Sequence, residues 1–224
     1  MQNPLEKKQI LTYKDYKIIP TKENNEKLVK INNCHPNIIC EYKKQDMLPI
    51  TGEIIYVRET LVEKLKKAAD KLLEIDPKMK LKIVYGYRHP SIQEKYYKIQ
   101  EKNIQKKHPN LSGIELVEEI CKFVAPLDTA GHPTGGAIDL TLSKNNKEVD
   151  MGTDIADFTY PEKIKTYSTH ITKIQEKNRK ILHDILVEQE FAPYYGEWWH
   201  FSYGDKEWAA FYNKKHALYS SKII

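Results

Sequence analysis

Cysteine is scarce in this chain: three residues, Cys34, Cys40 and Cys121, an odd number with no CxxC spacing. A disulfide framework or a cysteine-built zinc site is therefore not expected. No run reaches the roughly 18–20 apolar residues needed to span a bilayer. Residues 1–17 carry Pro4, Glu6 and scattered lysines, where an export peptide needs an apolar run of about 7–15 residues. The expected location is the cytoplasm, with no membrane partner. Also missing are internal repeats, low-complexity tracts and Gly/Ser- or Pro-rich linkers, so residues 1–224 read as one domain. HExxH, GxSxG, GxxxxGK[ST] and GxGxxG are all absent, which removes the chemistry each motif carries.

What the 224 residues do contain is enough apolar material for a core, 40% against 30% charged, with a net charge of +5. The positive balance does not mark a nucleic-acid surface, because lysines alternate with glutamates, as in Glu63-Lys64 and Glu101-Lys102. Such alternation is that of a solvated helix face. Eight histidines leave His and carboxylate as the donors from which any transition-metal site must be built.

Apolar periodicity predicts helices over 60–75, 91–107, 112–123, 174–189 and 206–213, and strands over 53–58, 80–87, 136–142 and 197–203. The helices at 91 and 112 each open on a capping-box pattern, Ser91-Ile92-Gln93-Glu94 and Ser112-Gly113-Ile114-Glu115. Residues 1–58 otherwise read as irregular. Strands and helices do not alternate strictly, so the class expected is α+β.

Two segments depart from this ordinary pattern. In Gly131-His132-Pro133-Thr134-Gly135-Gly136-Ala137-Ile138-Asp139, an aspartate sits inside an apolar strand, seven positions after a histidine in a Gly/Pro turn. A buried carboxylate needs a compensating cation or donors. The period puts Ala137, Asp139 and Thr141 on one face, with Ile138, Leu140 and Leu142 on the other. In Gly196-Glu197-Trp198-Trp199-His200-Phe201, a glutamate and a histidine lie among aromatics that exclude water. In a regular strand these two would face opposite sides, so their convergence requires a bend near Gly196. Singly, each residue also fits a packing, cap or turn role. Together, His132, Asp139 and His200 form a two-His, one-carboxylate set with Glu197 beside it, as in catalytic zinc sites. Spacing alone leaves these two readings level.

The strings GHPTGGAIDLTL, MGTD, NRKIL and EWWHFSYGD resemble the D-alanyl-D-alanine dipeptidases of the VanX type. These are zinc DD-peptidases whose fold is shared with the hedgehog N-terminal domain. The resemblance is strongest over residues 50–220. It implies a mainly antiparallel sheet flanked by helices and one zinc ion held by His132, Asp139 and His200. It makes Glu197 the general base and acid for a zinc-activated water, and Arg88 the group stabilising the oxyanion. Without the resemblance, a structural ion pair is the ordinary role for Arg88. The implied substrate is D-Ala-D-Ala or a related small dipeptide.

Three positions depart from the family pattern: Ala130 where a serine is common, Ala156 where an aspartate holds the substrate amine, and His89 directly after Arg88. Asp154, Asp157 and Thr134 are then the candidate substrate contacts. Alternative readings are a DD-carboxypeptidase or peptidoglycan endopeptidase on the same scaffold, or a catalytically silent binding module.

Overall fold

The structure is a computed structural model that describes residues 8–224. Its longest elements follow from apolar spacing. Helix α3 (Glu59–Ile75) buries Leu61, Val62, Leu65, Ala68, Ala69 and Leu72, which recur three and four residues apart. The helix ends where Asp76 turns extended ahead of Pro77. Each such leucine contributes about 1.5–3 kcal/mol by leaving water. Helix α7 (Lys173–Glu188) starts on a capping box between Thr172 and Gln175 and buries Leu182, Ile185 and Leu186. Helix α4 (Pro90–Lys107) begins one residue before the sequence pattern placed it. Its cap is His89, whose Nδ1 accepts from the Ser91 backbone N–H at 3.2 Å. For helix α5 (Gly113–Cys121), Ser112 occupies the N-cap without a side-chain cap bond. Neither expected capping box is therefore formed.

Residues 1–58, read as irregular apart from a strand over 53–58, hold five short elements, the last of them within that expected strand. They are helices α1 (Tyr13–Lys17) and α2 (Leu48–Thr51), strands β1 (Leu28–Lys30) and β2 (Ile38–Cys40), and β3 (Tyr56–Arg58). Strands β1 and β3 pair antiparallel as a separate ribbon. The main sheet adds β4 (Met79–Tyr85), β5 (Ala137–Lys144), β6 (Lys147–Glu148), β7 (Ala192–Pro193) and β8 (His200–Ser202). Its order is β2-β4-β5-β8-β7, with β6 paired to the far end of β5. Only β2 and β4 run parallel within it, so this is the expected mainly antiparallel α+β arrangement. Ile138, Leu140 and Leu142 of β5 enter the main core together with residues of α3, β4 and α7. That leaves the Asp139 face for the opposite side of the sheet.

Two short helices complete the chain, α6 (Pro161–Ile164) and α8 (Lys206–Phe211). Helix α8 is capped by Asp205, which accepts from the Trp208 N–H at 2.8 Å. Among the described residues, no helix is long and apolar enough to cross a membrane.

Candidate metal centre and active-site cleft

β5 is flanked by β4 on one side and β8 on the other, and the register sets Asp139 opposite both Tyr85 and His200. His132 arrives from the 3-10 turn His132–Thr134, which feeds directly into β5. That turn closes through Gly135, at φ +74°, in the left-handed region. A Cβ there would lie 2.1 Å from Leu28 Cδ2, so a side chain would have to displace that leucine as well as adopt a strained left-handed backbone. Arg58, fully buried on β3, locks the turn from behind: its Nε donates to Thr134 O at 2.6 Å.

Glu197 and His200 converge because residues 194–200 turn rather than extend. The Glu197 N–H donates to Tyr194 O at 3.0 Å, and the His200 N–H donates to Glu197 O at 3.2 Å. The strand expected over 197–203 is thus confined to residues 200–202. The aromatic run reads as β-propensity, but half of it packs as a turn.

One donor atom from each of His132, Asp139 and His200 lies within 4.8 Å of the others. His132 Nδ1 faces Gly86 O at 2.8 Å, which turns Nε2 towards Asp139 Oδ2 at 3.4 Å. His200 presents Nδ1 to Asp139 Oδ1 at 3.0 Å. Metal bonds of about 2.0–2.2 Å in a tetrahedron imply donor separations of roughly 3.3–3.6 Å. The donor set and its spacing therefore fit a single transition-metal ion, with His132 Nε2, His200 Nδ1 and one Asp139 oxygen as ligands.

Electrostatics in this pocket separate the carboxylates. Burial works against the charge on Asp139, but His132 and His200 outweigh it and hold the carboxyl well below the usual range. Burial lowers His132 despite Asp139 beside it. For His200, burial is overcome by Glu207, Asp139 and Glu197, and the imidazole rises to about 10. Burial pushes Glu197 up to about 7 and Glu207 up to about 8.

Arg88 follows β4, and its backbone N–H donates to His132 O at 3.1 Å. The residue is 8% exposed, with Nε donating to the Tyr85 hydroxyl at 3.3 Å and Nη1 to Gln93 Oε1 at 2.9 Å. The rings of Tyr85 and Tyr96 lie 4.6 and 5.5 Å from Cζ. No carboxylate pairs with Arg88 among the described residues. A buried cation held by neutral groups retains its attraction for an anionic oxygen.

The donor set, Glu197, Glu207, Arg88, Gln93 and Tyr96 line one cavity of about 880 Å³. Lys44, Phe158, Tyr194, Trp199, residues 10–14 and Tyr16 also contribute to its lining. Glu118 ties the 10–16 segment down, accepting from the backbone N–H groups of Tyr13 at 3.2 Å and Lys14 at 3.1 Å. Arg179 fixes the wall loop by donating to Met151 O at 2.7 Å, Lys163 O at 2.8 Å and Lys165 O at 2.7 Å. This is the physical link between the NRKIL and MGTD strings.

The three residues expected to touch substrate lie elsewhere. The Thr134 hydroxyl is spent inside its own turn, donating to Gly131 O at 2.6 Å and accepting from the Gly136 N–H at 2.9 Å. Asp157 accepts from the Thr159 N–H at 3.0 Å. Neither these two nor Asp154 lines the cavity, whereas Ala130 and Ala156 do. Lys44 and Glu207 were not anticipated. Their place in the cleft depends on how the segments after β2 and β8 fold over the sheet end.

Three protein donors and an adjacent half-buried carboxyl in one cleft form the arrangement of a metallopeptidase. The family model described as D-ala-D-ala dipeptidase matches residues 10–222, and the chain belongs to that peptidase family. A D-alanyl-D-alanine dipeptidase of Synechocystis sp. (strain ATCC 27184 / PCC 6803 / Kazusa) is 36% identical over 101 residues, a stretch covering 41% of each chain. Among solved structures, the LdcB LD-carboxypeptidase aligns over 84% of this chain and 72% of its own, at 19% identity and a TM-score of 0.48. The D,D-dipeptidase VanXYg, in complex with a D-Ala-D-Ala phosphinate analogue, aligns over 88% of this chain and 62% of its own. Its identity is 23% and its TM-score 0.42.

Proposed function

We propose that the protein is a zinc-dependent dipeptidase that hydrolyses D-Ala-D-Ala or a closely related small dipeptide. The observation that carries this reading is the convergence of His132, Asp139 and His200 beside Glu197 in one cleft. His and carboxylate donors in a three-ligand set suit zinc. Bound there, the metal supplies Lewis acidity, which polarises a carbonyl and eases deprotonation of water.

The chain's own groups supply the rest. Glu197, poised near neutrality by burial, accepts a proton from the attacking water and returns it to the leaving nitrogen as the C–N bond breaks. Arg88, without a carboxylate partner, donates to the carbonyl oxygen as negative charge builds on it. Phe158, Tyr194 and Trp199 keep bulk water from both groups. The approach of residues 10–14 and Tyr16 to the cavity narrows the space beside the donor set, which supports a short substrate over an assembled polymer. A cytoplasmic setting is part of this proposal, because a free dipeptide is a substrate available there.

A panel of D-Ala-D-Ala, D-Ala-L-Ala, L-Ala-D-Ala, L-Ala-L-Ala and a D-Ala-D-Ala-terminated pentapeptide tests the proposal. Preferential release of D-alanine from the first compound is expected. Preference for the pentapeptide would replace this reading with a carboxypeptidase, and cleavage of none would favour a silent binding module.

A further inference from the structure

Helix α8 places a charged residue where packing alone calls for an apolar one. Glu207 follows the cap Asp205 and stands one residue before the buried Trp208. Its side chain is 14% exposed, and its Oε1 is buried with no hydrogen-bond partner. No lysine or arginine pairs with it among the described residues. A buried carboxyl oxygen without a partner is unfavourable in either protonation state unless the functional state supplies one.

The group facing Glu207 is the imidazole of His200. Its Nδ1 is committed to the donor set, 3.0 Å from Asp139 Oδ1. Its Nε2 has no hydrogen bond among the described residues, and Glu207 Oε2 lies 3.8 Å away. That is an ion-pair separation rather than a hydrogen bond, within reach of a small side-chain adjustment. The other histidine of the set already has its outer partner: His132 Nδ1 lies 2.8 Å from Gly86 O. A ligating imidazole that offers one nitrogen to a metal carries its proton on the other, and that N–H needs an acceptor.

We propose that Glu207 is a positioning residue of the metal centre: it accepts from His200 Nε2–H and so fixes the ring with Nδ1 turned towards the ion. The inference rests on the metal-centre reading above. Its test reads zinc binding directly, so it stays interpretable if no dipeptide proves to be a substrate.

The test is zinc affinity of metal-stripped protein, measured by competition with a chromophoric chelator. Glu207→Leu removes the acceptor while keeping the volume filled, and zinc affinity should fall about 10–100-fold. Glu207→Gln keeps a carbonyl oxygen that can accept from Nε2–H, and should recover most of that loss. The KM for any dipeptide substrate should stay near the wild-type value. Zinc affinity of Glu207→Leu within about threefold of wild type would overturn the proposal. So would a raised KM with unchanged zinc affinity, which would make Glu207 a substrate contact instead. An independent reading needs no variant: long-range nitrogen NMR of the zinc-loaded protein should show His200 protonated at Nε2 and metallated at Nδ1. Ligation through Nε2 would equally overturn the assignment.

Discussion

Asp139, buried, and Glu197, half-buried, line one cleft, and their surroundings drive them in opposite directions. Asp139 lies between two imidazoles and stays ionised, which suits a metal ligand. Glu197 answers mainly to its own burial and rises to about 7, where a group can both take and return a proton. Glu197→Gln keeps the shape and removes the proton acceptor. It should bind zinc with wild-type stoichiometry while kcat falls about 10²–10⁴-fold. A kcat close to wild type in the zinc-loaded variant would remove Glu197 from the proton path.

The four residues of this core were legible in the sequence because each breaks a local pattern. Asp139 interrupts an apolar strand, His132 sits in a glycine-rich turn, and Glu197 and His200 lie within an aromatic run. Glu207 was not legible. A glutamate in the first turn of a short helix is ordinary dipole chemistry, and only the docking of α8 over the cleft reveals that it is buried.

At the scale of elements, the turn that presents His132 is held by a clamp far from it in sequence. Arg58 Nη1 and Nη2 donate to Glu23 Oε1 and Oε2 at 2.8 and 3.1 Å, and Nη2 also donates to Ser220 O at 3.0 Å. The same guanidinium reaches the turn through Thr134 O. Three segments with little regular structure of their own thus meet on one buried cation. Burial works against the charge on Glu23, but Arg58 and Ser220 prevail and lower it from 4.5 to about 2. Because the folded value lies below the ordinary one, the stabilisation is fully present above pH 4.5 and is lost as pH falls towards 2. Glu23→Gln should cost about 1–3 kcal/mol at neutral pH, since Arg58 then lacks its counter-charge. Thermal melts of both proteins should converge as pH falls through that window. A stability gap that does not change with pH would mean that the pair is not what couples these segments.

This clamp lies outside what periodicity can show. β1 and β2 are three residues long, too short for alternation to register, and β3 was legible only through the β-branched and aromatic residues of 54–57. Helix α3 and strand β5, by contrast, repeat their apolar positions often enough to be read within about a residue of their observed starts.

For the molecule as a whole, strand order sets which segments supply the charged groups of the cleft. Lys44 follows β2 and Arg88 follows β4. His132 and Asp139 belong to β5 and its turn, while His200 and Glu207 belong to β8 and the helix after it. With the sheet arranged β2-β4-β5-β8-β7, Lys44 and Arg88 come from segments on the β4 side of β5 and Glu207 from the segment after β8 on its other side. Sequence reading singled out His132, Asp139 and His200 but not this ordering. β2 and β4 pair parallel across about forty residues of intervening chain, and no local spacing encodes such a pairing.

The proposed dipeptidase activity depends on one metal ion held by His132, Asp139 and His200. The most direct test is titration of zinc into metal-stripped protein while hydrolysis of D-Ala-D-Ala is followed. Activity should be absent at the start, rise in proportion to added zinc and level off at one equivalent per chain. Full hydrolysis before any zinc is added, or a saturated site that never hydrolyses the dipeptide, would contradict the account.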